Sequence, residues 1–105
     1  MTAGASVRDG LCVFRVRRRG AANEATICEL LVPGNDAGTR RALLKDVAER
    51  ASADYVILAG HAARPSSGCV PLPRQGPILT WRAVRQLDAP DLSDWNLSLG
   101  DIELF

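Results

Sequence analysis

Residues 24–60, with the sequence EATICELLVPGNDAGTRRALLKDVAERASADYVILAG, decide the fold of this chain. They begin with an alternating run typical of a β-strand, pass through a turn that contains proline and glycine, and then take the apolar spacing of a helix. The stretch ends on Tyr55-Val56-Ile57-Leu58-Ala59, a short continuous apolar run typical of a strand that is covered on both faces. This order predicts a β-α-β unit whose helix connects two parallel strands.

The helix of this unit carries its own start signal and one apolar stripe. Asn35 or Asp36 can cap its first turn, because a short polar side chain there accepts a hydrogen bond from an unpaired backbone amide. The apolar stripe recurs at three- and four-residue spacing and consists of Leu43, Leu44, Val47, Ala48 and Ala51. We therefore expect one amphipathic helix packed against the sheet.

A β-hairpin is predicted ahead of this unit. Residues 11–17 alternate between two faces, and residues 24–32 alternate again after a turn over residues 18–23. In this register Glu29 shares a strand face with Ile27 and the other odd-numbered positions. Glu24 is expected to be an exposed residue at the start of its strand.

The rest of the chain is less regular. Residues 60–77 are rich in Gly, Pro, Ser and Arg and are expected to form a loop. Residues 78–84 predict another strand, and residues 95–105 are apolar enough to pack back as a last strand or an extended segment. The expected fold class is therefore α/β with a mixed sheet, in a single domain that covers residues 1–105.

Composition limits the classes of function. With 47% hydrophobic residues the chain suits one compact domain, and its formal net charge of +1 gives no overall field to hold nucleic acid or an anionic membrane. No segment approaches the roughly 20 apolar residues of a membrane span, and the start lacks the apolar run of a signal peptide, so we expect a cytoplasmic protein. Cys12, Cys28 and Cys69 lack paired spacing, so neither a disulfide framework nor a metal site is expected.

Basic residues cluster near the end of the first long strand. Arg15, Arg17, Arg18 and Arg19 could bind phosphate, including that of a nucleic acid, but only one aromatic residue is interleaved with them. A solvated hairpin end is the favoured interpretation, so we expect no nucleic-acid partner. His61 is the only histidine and is interpreted as a solvated loop residue.

The turn before the helix carries a family resemblance. Leu31-Val32-Pro33 ends the strand, Asn35 follows, and Gly38 and Arg40 come at the helix start, with Leu43-Leu44 shortly after. Over residues 11–105 the chain resembles the C-terminal, coenzyme-A-binding half of the GNAT-type N-acyltransferase superfamily. In that superfamily a Val-x-Pro strand end leads into a pyrophosphate loop with the pattern Gln/Arg-x-x-Gly-x-Gly/Ala.

The resemblance implies an acyl-CoA-dependent N-acetyltransferase that takes acetyl-CoA as its acyl donor and an amine as acceptor. It implies that the strand end pairs with the pantetheine arm and that the helix start holds the pyrophosphate. The residues in these roles are Leu30, Leu31 and Val32 for pantetheine, and Gly38, Thr39 and Arg40 for pyrophosphate. Glu29 is the candidate general base or amine-orienting carboxylate, and its alternative interpretation is a strand carboxylate paired with Arg15 or Arg17.

Three departures from the superfamily pattern lead to a second hypothesis. Arg40 stands where the pattern has a small residue, and residues 60–67, directly ahead of Gly68-Cys69 in the place of the superfamily's Gly-Phe pair, contain no Tyr. The resemblance also implies an N-terminal part that shapes the acceptor site, and only about ten residues precede the first predicted strand, so we expect a truncated or degenerate domain, or two copies that complete each other's sheet as a homodimer. The alternative function is a non-catalytic dimerisation or ligand-binding module on the same scaffold.

Overall fold

A computed structural model describes residues 1–6, 8–60, 68–72, 95 and 97–99 of the chain. Their elements in chain order are β1 (Thr2–Ser6), β2 (Gly10–Arg19), β3 (Ala22–Leu31), a 3-10 turn (Pro33–Asn35), α1 (Ala37–Ala51) and β4 (Tyr55–Ile57). The strands form one sheet in the order β1-β2-β3-β4, with antiparallel pairs up to β3 and a parallel β3–β4 pair. The described part is a small mixed α+β fold, which confirms the predicted hairpin and the order of the β-α-β unit. The predicted cover on both faces of its last strand was wrong, because β4 is the outer strand of the described sheet and Tyr55 is 40% exposed.

The hairpin is tighter than predicted. Gly20 and Ala21 alone form the turn, since Arg19 already pairs with Ala22, so the predicted turn over residues 18–23 was wrong in extent. Gly20 has a φ of 62° and is followed by a residue of negative φ, the pattern of a type II′ turn, whose twist matches that of paired strands. Arg18 and Arg19 therefore belong to β2, and Ala22 and Asn23 belong to β3.

Strand β1 was not predicted. It lies at the sheet edge and pairs antiparallel with β2, with Ala3 opposite Cys12. Its sequence, TAGAS, consists of small residues and has no apolar alternation that would mark a strand. Only its backbone pairing with β2 identifies this segment as a strand, so the sequence pattern could not predict it.

A β-bulge at Cys28 changes the faces of β3. Phe14 pairs with Ile27, whereas the preceding residue of β2, Val13, pairs with Glu29, so Cys28 is an extra residue in the ladder. Since side chains alternate along a strand, the bulge exchanges the faces beyond it. The sequence-based assignment of Glu29 to the face of Ile27 was therefore wrong: Leu30 shares the face of Ile27, and Glu29 lies on the opposite face.

Helix α1 packs on the sheet face that carries Phe14. The predicted apolar stripe is confirmed at its centre, because Leu43 and Val47 are buried and Leu44 and Ala51 pack against the core. The core cluster of fully buried residues consists of Cys12, Phe14, Ala25, Ile27 and Val47. Of the two candidate caps, Asp36 is the N-cap, and Ser52 ends the helix in the left-handed conformation.

Polar contacts fix where β4 starts against β3. The backbone amide of Asn23 donates to Oδ2 of Asp54 at 2.7 Å, and the amide of Asp54 donates back to the Asn23 carbonyl at 2.9 Å. The Asn23 side chain also donates to the carbonyl of Ser52 at 3.3 Å. These bonds tie the end of α1 to the start of β3 and set the parallel register.

The structure describes only part of the region after Gly60. The predicted strand at residues 78–84 lies outside the described residues, as does the tail beyond residue 99. In the predicted loop, residues 68–72 form neither helix nor strand. No helix among the described residues is both long enough and apolar enough to cross a lipid bilayer.

The contact between Val47 and the sheet predicts a measurable core defect. We expect Val47→Ala to lower the free energy of unfolding by about 2 kcal/mol, because it removes buried methyl groups and leaves a cavity. Lys45→Ala on the solvated side of α1, where the side chain is 79% exposed, is expected to change it by less than about 0.5 kcal/mol. Urea unfolding measures both, and equal values for the two variants would contradict this packing.

Candidate functional site

The candidate site is the gap where β3 and β4 part. The two strands pair over three positions, with Glu24 opposite Tyr55 at one end and Thr26 opposite Ile57 at the other. Strand β3 then continues to Leu31, and among the described residues no strand pairs with it there on the side away from β2. Alternate backbone N–H and C=O groups of residues 27–31 point to that side, which we call the open edge of β3.

A buried carboxylate holds the strands together at the closed end of this gap. Glu24 is only 5% exposed, so its predicted place at an exposed strand start was wrong. Its Oε1 accepts from Arg17 Nε at 2.7 Å and from Thr26 Oγ1 at 3.2 Å. Its Oε2 accepts from the Tyr55 hydroxyl at 2.9 Å and lies 3.6 Å from Arg19 Nε. One side chain thus joins β2, β3 and β4.

The contacts of Glu24 decide its protonation. Burial by itself would raise its pKa, but the hydrogen bonds from Arg17, Tyr55 and Thr26, together with the charge of Arg17, hold the pKa below its usual value. The hydrogen bond that Tyr55 donates to Glu24 raises the pKa of Tyr55, with burial and the charge of Glu24 as further causes. Glu24 is therefore a permanently charged structural carboxylate near neutral pH.

Glu29 directly follows the bulge residue Cys28, on the part of β3 that no longer pairs with β4. Its Oε1 accepts from the backbone amide of Leu30 at 3.2 Å, and its Oε2 accepts from the hydroxyl of Ser98 at 3.3 Å. The two arginines that were its alternative ion-pair partners are not its cross-strand neighbours, because Arg15 lies opposite Thr26 and Arg17 lies opposite Glu24. Glu29 thus lies on the part of β3 that forms the open edge, and two donors hold its carboxylate.

The three cysteines are free thiols in different surroundings. Cys12 is fully buried, and burial, with the nearby Cys28 and Glu29 as further causes, raises its pKa to about 12 against an opposing effect of the N-terminal ammonium. Burial also raises the pKa of Cys69, which the positive charge of Arg40 partly offsets. Cys12 is accordingly an inert core side chain.

The start of α1, where the resemblance implies pyrophosphate binding, is closed by a side chain. The Oδ2 atom of Asp36 accepts from the Thr39 amide at 2.7 Å. Hydrogen bonds from Thr39 in the first place, and from the Gly38 amide, lower the pKa of Asp36. A carboxylate therefore occupies the two amides that the sequence assigns to an anionic ligand.

Arg40 is buried against the turn that precedes α1. The residue is 3% exposed, and its Nη2 donates to the side-chain Oδ1 of Asn35 and, at 3.5 Å, to the Asn35 carbonyl. Gly34 and Asn35 adopt left-handed backbone with φ of 61° and 56°, which turns the chain between β3 and α1. The guanidinium in this structure braces the turn.

The remaining sequence candidates are accounted for in part. Arg17 and Arg19 contact Glu24, and Arg18 Nε donates to the Gly20 carbonyl at 3.2 Å, so these arginines make contacts within the hairpin. Leu30 and Val32 are half-buried and Leu31 is 44% exposed at the strand end. His61 lies outside the described residues. Within the described part, no three His, Cys, Asp or Glu side chains are grouped to hold a metal ion.

Two residues, Glu24 and Ser98, make contacts at the candidate site that the sequence analysis did not predict. Glu24 was detectable, because a two-residue turn at Gly20 places Arg17 directly opposite it. Ser98 was not, because its contact with Glu29 joins residues far apart in the chain and no local pattern marks it. Glu24 and Arg17 are close in the sequence, so a local pattern can reveal their contact, whereas Glu29 and Ser98 are far apart.

Comparison of the chain with models of known protein families, with curated proteins and with solved structures finds no match.

The network around Glu24 predicts a specific acid sensitivity. Because the pKa of Glu24 is lower in the folded chain than in the unfolded one, its contribution to stability is present above the unfolded value of 4.5 and is lost as the pH falls through the lower folded value. Glu24→Gln should lower the free energy of unfolding by about 1–3 kcal/mol at neutral pH and by less in acid. Urea unfolding at about pH 7 and about pH 4 tests this.

The matched control is Glu49→Gln, because the Glu49 side chain is 66% exposed on α1. We expect it to leave stability nearly unchanged at both pH values. A Glu24→Gln loss that stays the same in acid would contradict the charged network.

Thiol labelling tests the environment of Cys12. At about pH 8 we expect Cys12 to react with iodoacetamide on the order of a hundredfold more slowly than an exposed cysteine in a peptide, because it is buried and almost fully protonated. Peptide mass spectrometry after timed labelling measures the rate at each of the three cysteines. In denaturant all three should react alike, and rapid labelling of Cys12 in the folded chain would refute its placement.

Proposed function

We propose that this chain is an acyl-CoA-binding domain of the N-acetyltransferase type, which transfers an acetyl group from acetyl-CoA to an amine. The observation that carries the proposal is the short β3–β4 ladder, which ends at Thr26 and leaves the open edge of β3 beyond it. The pantetheine arm of coenzyme A is an extended chain with two amide groups. Such a chain can pair with a free strand edge as an added strand does.

The bulge supports the same reading. Bulges disrupt a ladder locally and redirect side chains, and they are frequent beside active sites. Here the bulge at Cys28 lies directly before Glu29, just beyond the end of the β3–β4 pairing at Thr26. A thioester bound along Leu30, Leu31 and Val32 would bring its carbonyl close to this irregular backbone, where an N–H group near Cys28 or Glu29 would polarise it.

The chemistry needs few groups. The amine nitrogen attacks the thioester carbonyl carbon, the carbon–sulfur bond breaks, and coenzyme A departs as a thiolate that then takes up a proton. Glu29 accepts the proton that the amine nitrogen loses. The other contribution of the chain is to hold the thioester in place, which is a large part of catalysis when two substrates must meet.

The helix start sets a condition on this proposal. A pyrophosphate that binds the amides of Gly38 and Thr39 must displace the Asp36 carboxylate, which now accepts from them. Arg40 would also have to turn from Asn35 to meet a phosphate, and its guanidinium is suited to that role once released. Coenzyme binding therefore requires rearrangement of this turn.

The same contacts favour a second candidate, a non-catalytic dimerisation or ligand-binding module. An anion is repelled by the Asp36 carboxylate, and Arg40 already braces Asn35. In this case the open edge of β3 would serve a strand of a second copy, which gives a homodimer without a catalytic role. The two candidates differ in whether acetyl-CoA binds.

Isothermal titration with acetyl-CoA tests the proposal on the wild-type chain and on Asp36→Asn. We expect micromolar binding by the wild type and about three- to tenfold tighter binding by Asp36→Asn, because asparagine still caps the helix but no longer repels the phosphates. Asp46→Asn changes the charge of the same helix away from its start, in the ion pair with Arg50, and should leave the affinity unchanged.

The outcomes separate the candidates. Binding that is accompanied by release of coenzyme A in the presence of primary amines, measured by chromatography, supports the enzyme. No heat up to millimolar acetyl-CoA with either variant overturns the proposal, and light scattering should then find a dimer if the module is correct.

A further inference from the structure

The segment of residues 97–99, which we call the clasp segment, contacts both walls of the gap. If the β3–β4 register continued beyond Thr26 and Ile57, Glu29 would lie opposite Gly60. Instead, Ser98 donates to Oε2 of Glu29 at 3.3 Å, and the backbone of Leu97 lies against Gly60. The clasp segment thus contacts Glu29 of β3 and Gly60 in the chain beyond β4, the two positions that a longer β3–β4 ladder would have placed opposite each other.

Gly60 permits this approach. A Cβ atom at position 60 would overlap the carbonyl group of Leu97, and the φ of 79° at Gly60 is itself one that side chains disfavour. The three residues of the clasp segment are half-buried in this position. The close backbone contact is therefore available only to glycine.

Glu29 links the clasp segment to the open edge. One carboxylate oxygen accepts from Ser98, and the other accepts from the backbone amide of Leu30. That amide is part of the strand end proposed to pair with pantetheine. While both bonds are in place, the carboxylate is fixed and a backbone donor of the strand end is already engaged.

We propose that the clasp segment is an internal competitor that covers the open edge of β3 until a ligand displaces it. The identity of that ligand as a coenzyme A thioester rests on the function proposed above. A ligand that binds only the open form has an apparent dissociation constant equal to the intrinsic one divided by the open fraction. Weakening the Ser98–Glu29 bond increases that fraction, so it should tighten ligand binding and free Glu29 to accept a proton.

The test compares the wild-type chain with Ser98→Ala and with Ser98→Thr, which keeps the hydroxyl. Without ligand, we expect Ser98→Ala to speed amide hydrogen exchange about threefold in the peptide that contains residues 27–31. Acetyl-CoA should bind Ser98→Ala about threefold more tightly than the wild type. Ser98→Thr should resemble the wild type in both measurements.

A second variant guards against simple loss of structure. Gly60→Ala blocks the same docking from the opposite wall and should change exchange and affinity in the same direction as Ser98→Ala. Exchange in β2 reports global stability and should stay unchanged in Ser98→Ala. If its rise matched that of residues 27–31, the effect would be general loosening and the clasp would be refuted.

The two proposals fail in different ways. Faster exchange at residues 27–31 in Ser98→Ala, with no acetyl-CoA binding by any variant, supports the clasp and overturns the acetyltransferase function. Binding of acetyl-CoA with equal affinity to the wild type, Ser98→Ala and Gly60→Ala, together with unchanged exchange, overturns the clasp and leaves the function standing.

Discussion

The buried carboxylate of Glu24 is the constraint on which the sheet depends. A charge removed from water must be met by hydrogen bonds and opposite charge, and here the donors come from β2, from β3 itself and from β4. All of them lie at the hairpin end of the sheet. The three strands are consequently fastened at that end, and the β3–β4 ladder is short enough for the other end to diverge.

Carboxylates also occupy both parts of the region proposed to bind coenzyme A. Glu29 accepts from the Leu30 amide beside the open edge, and Asp36 accepts from the Thr39 amide at the helix start. These amides are the donors that an extended thioester and its phosphates would use. In the free chain the donors are therefore satisfied internally, and binding becomes an exchange of one set of hydrogen bonds for another, with a net free energy smaller than the contacts alone suggest.

Local patterns predicted the local structure well. The alternation of β3, the apolar stripe of α1 and the apolar run at Tyr55 each act over a few residues, so the hairpin and the β-α-β unit could be read from the sequence. The bulge could not, because one extra residue in a strand leaves each half of the alternation intact. The faces of Glu29 and Leu30 were exchanged for that reason.

The contacts of the candidate site were less predictable. The position of Glu29 beside the strand end followed from the sequence, but its contact with Ser98 depends on how distant segments pack. The burial of Glu24 needed the two-residue turn at Gly20, which a broader turn assignment concealed. The cap at Asp36 was expected as one of two choices, whereas its effect on an anion site appears only when cap and loop are considered together.

The extra residue at Cys28 makes this region sensitive to insertions and deletions. Removing one residue there would restore a continuous ladder with β2 and would turn every side chain from Glu29 to the strand end through to the other surface of the sheet. Adding one residue would have the same inverting effect, whereas a change of two would keep the surfaces and shift the strand end lengthwise. Chain length in this strand is thus tolerated in steps of two, and an odd change would carry the carboxylate of Glu29 to the surface covered by the helix.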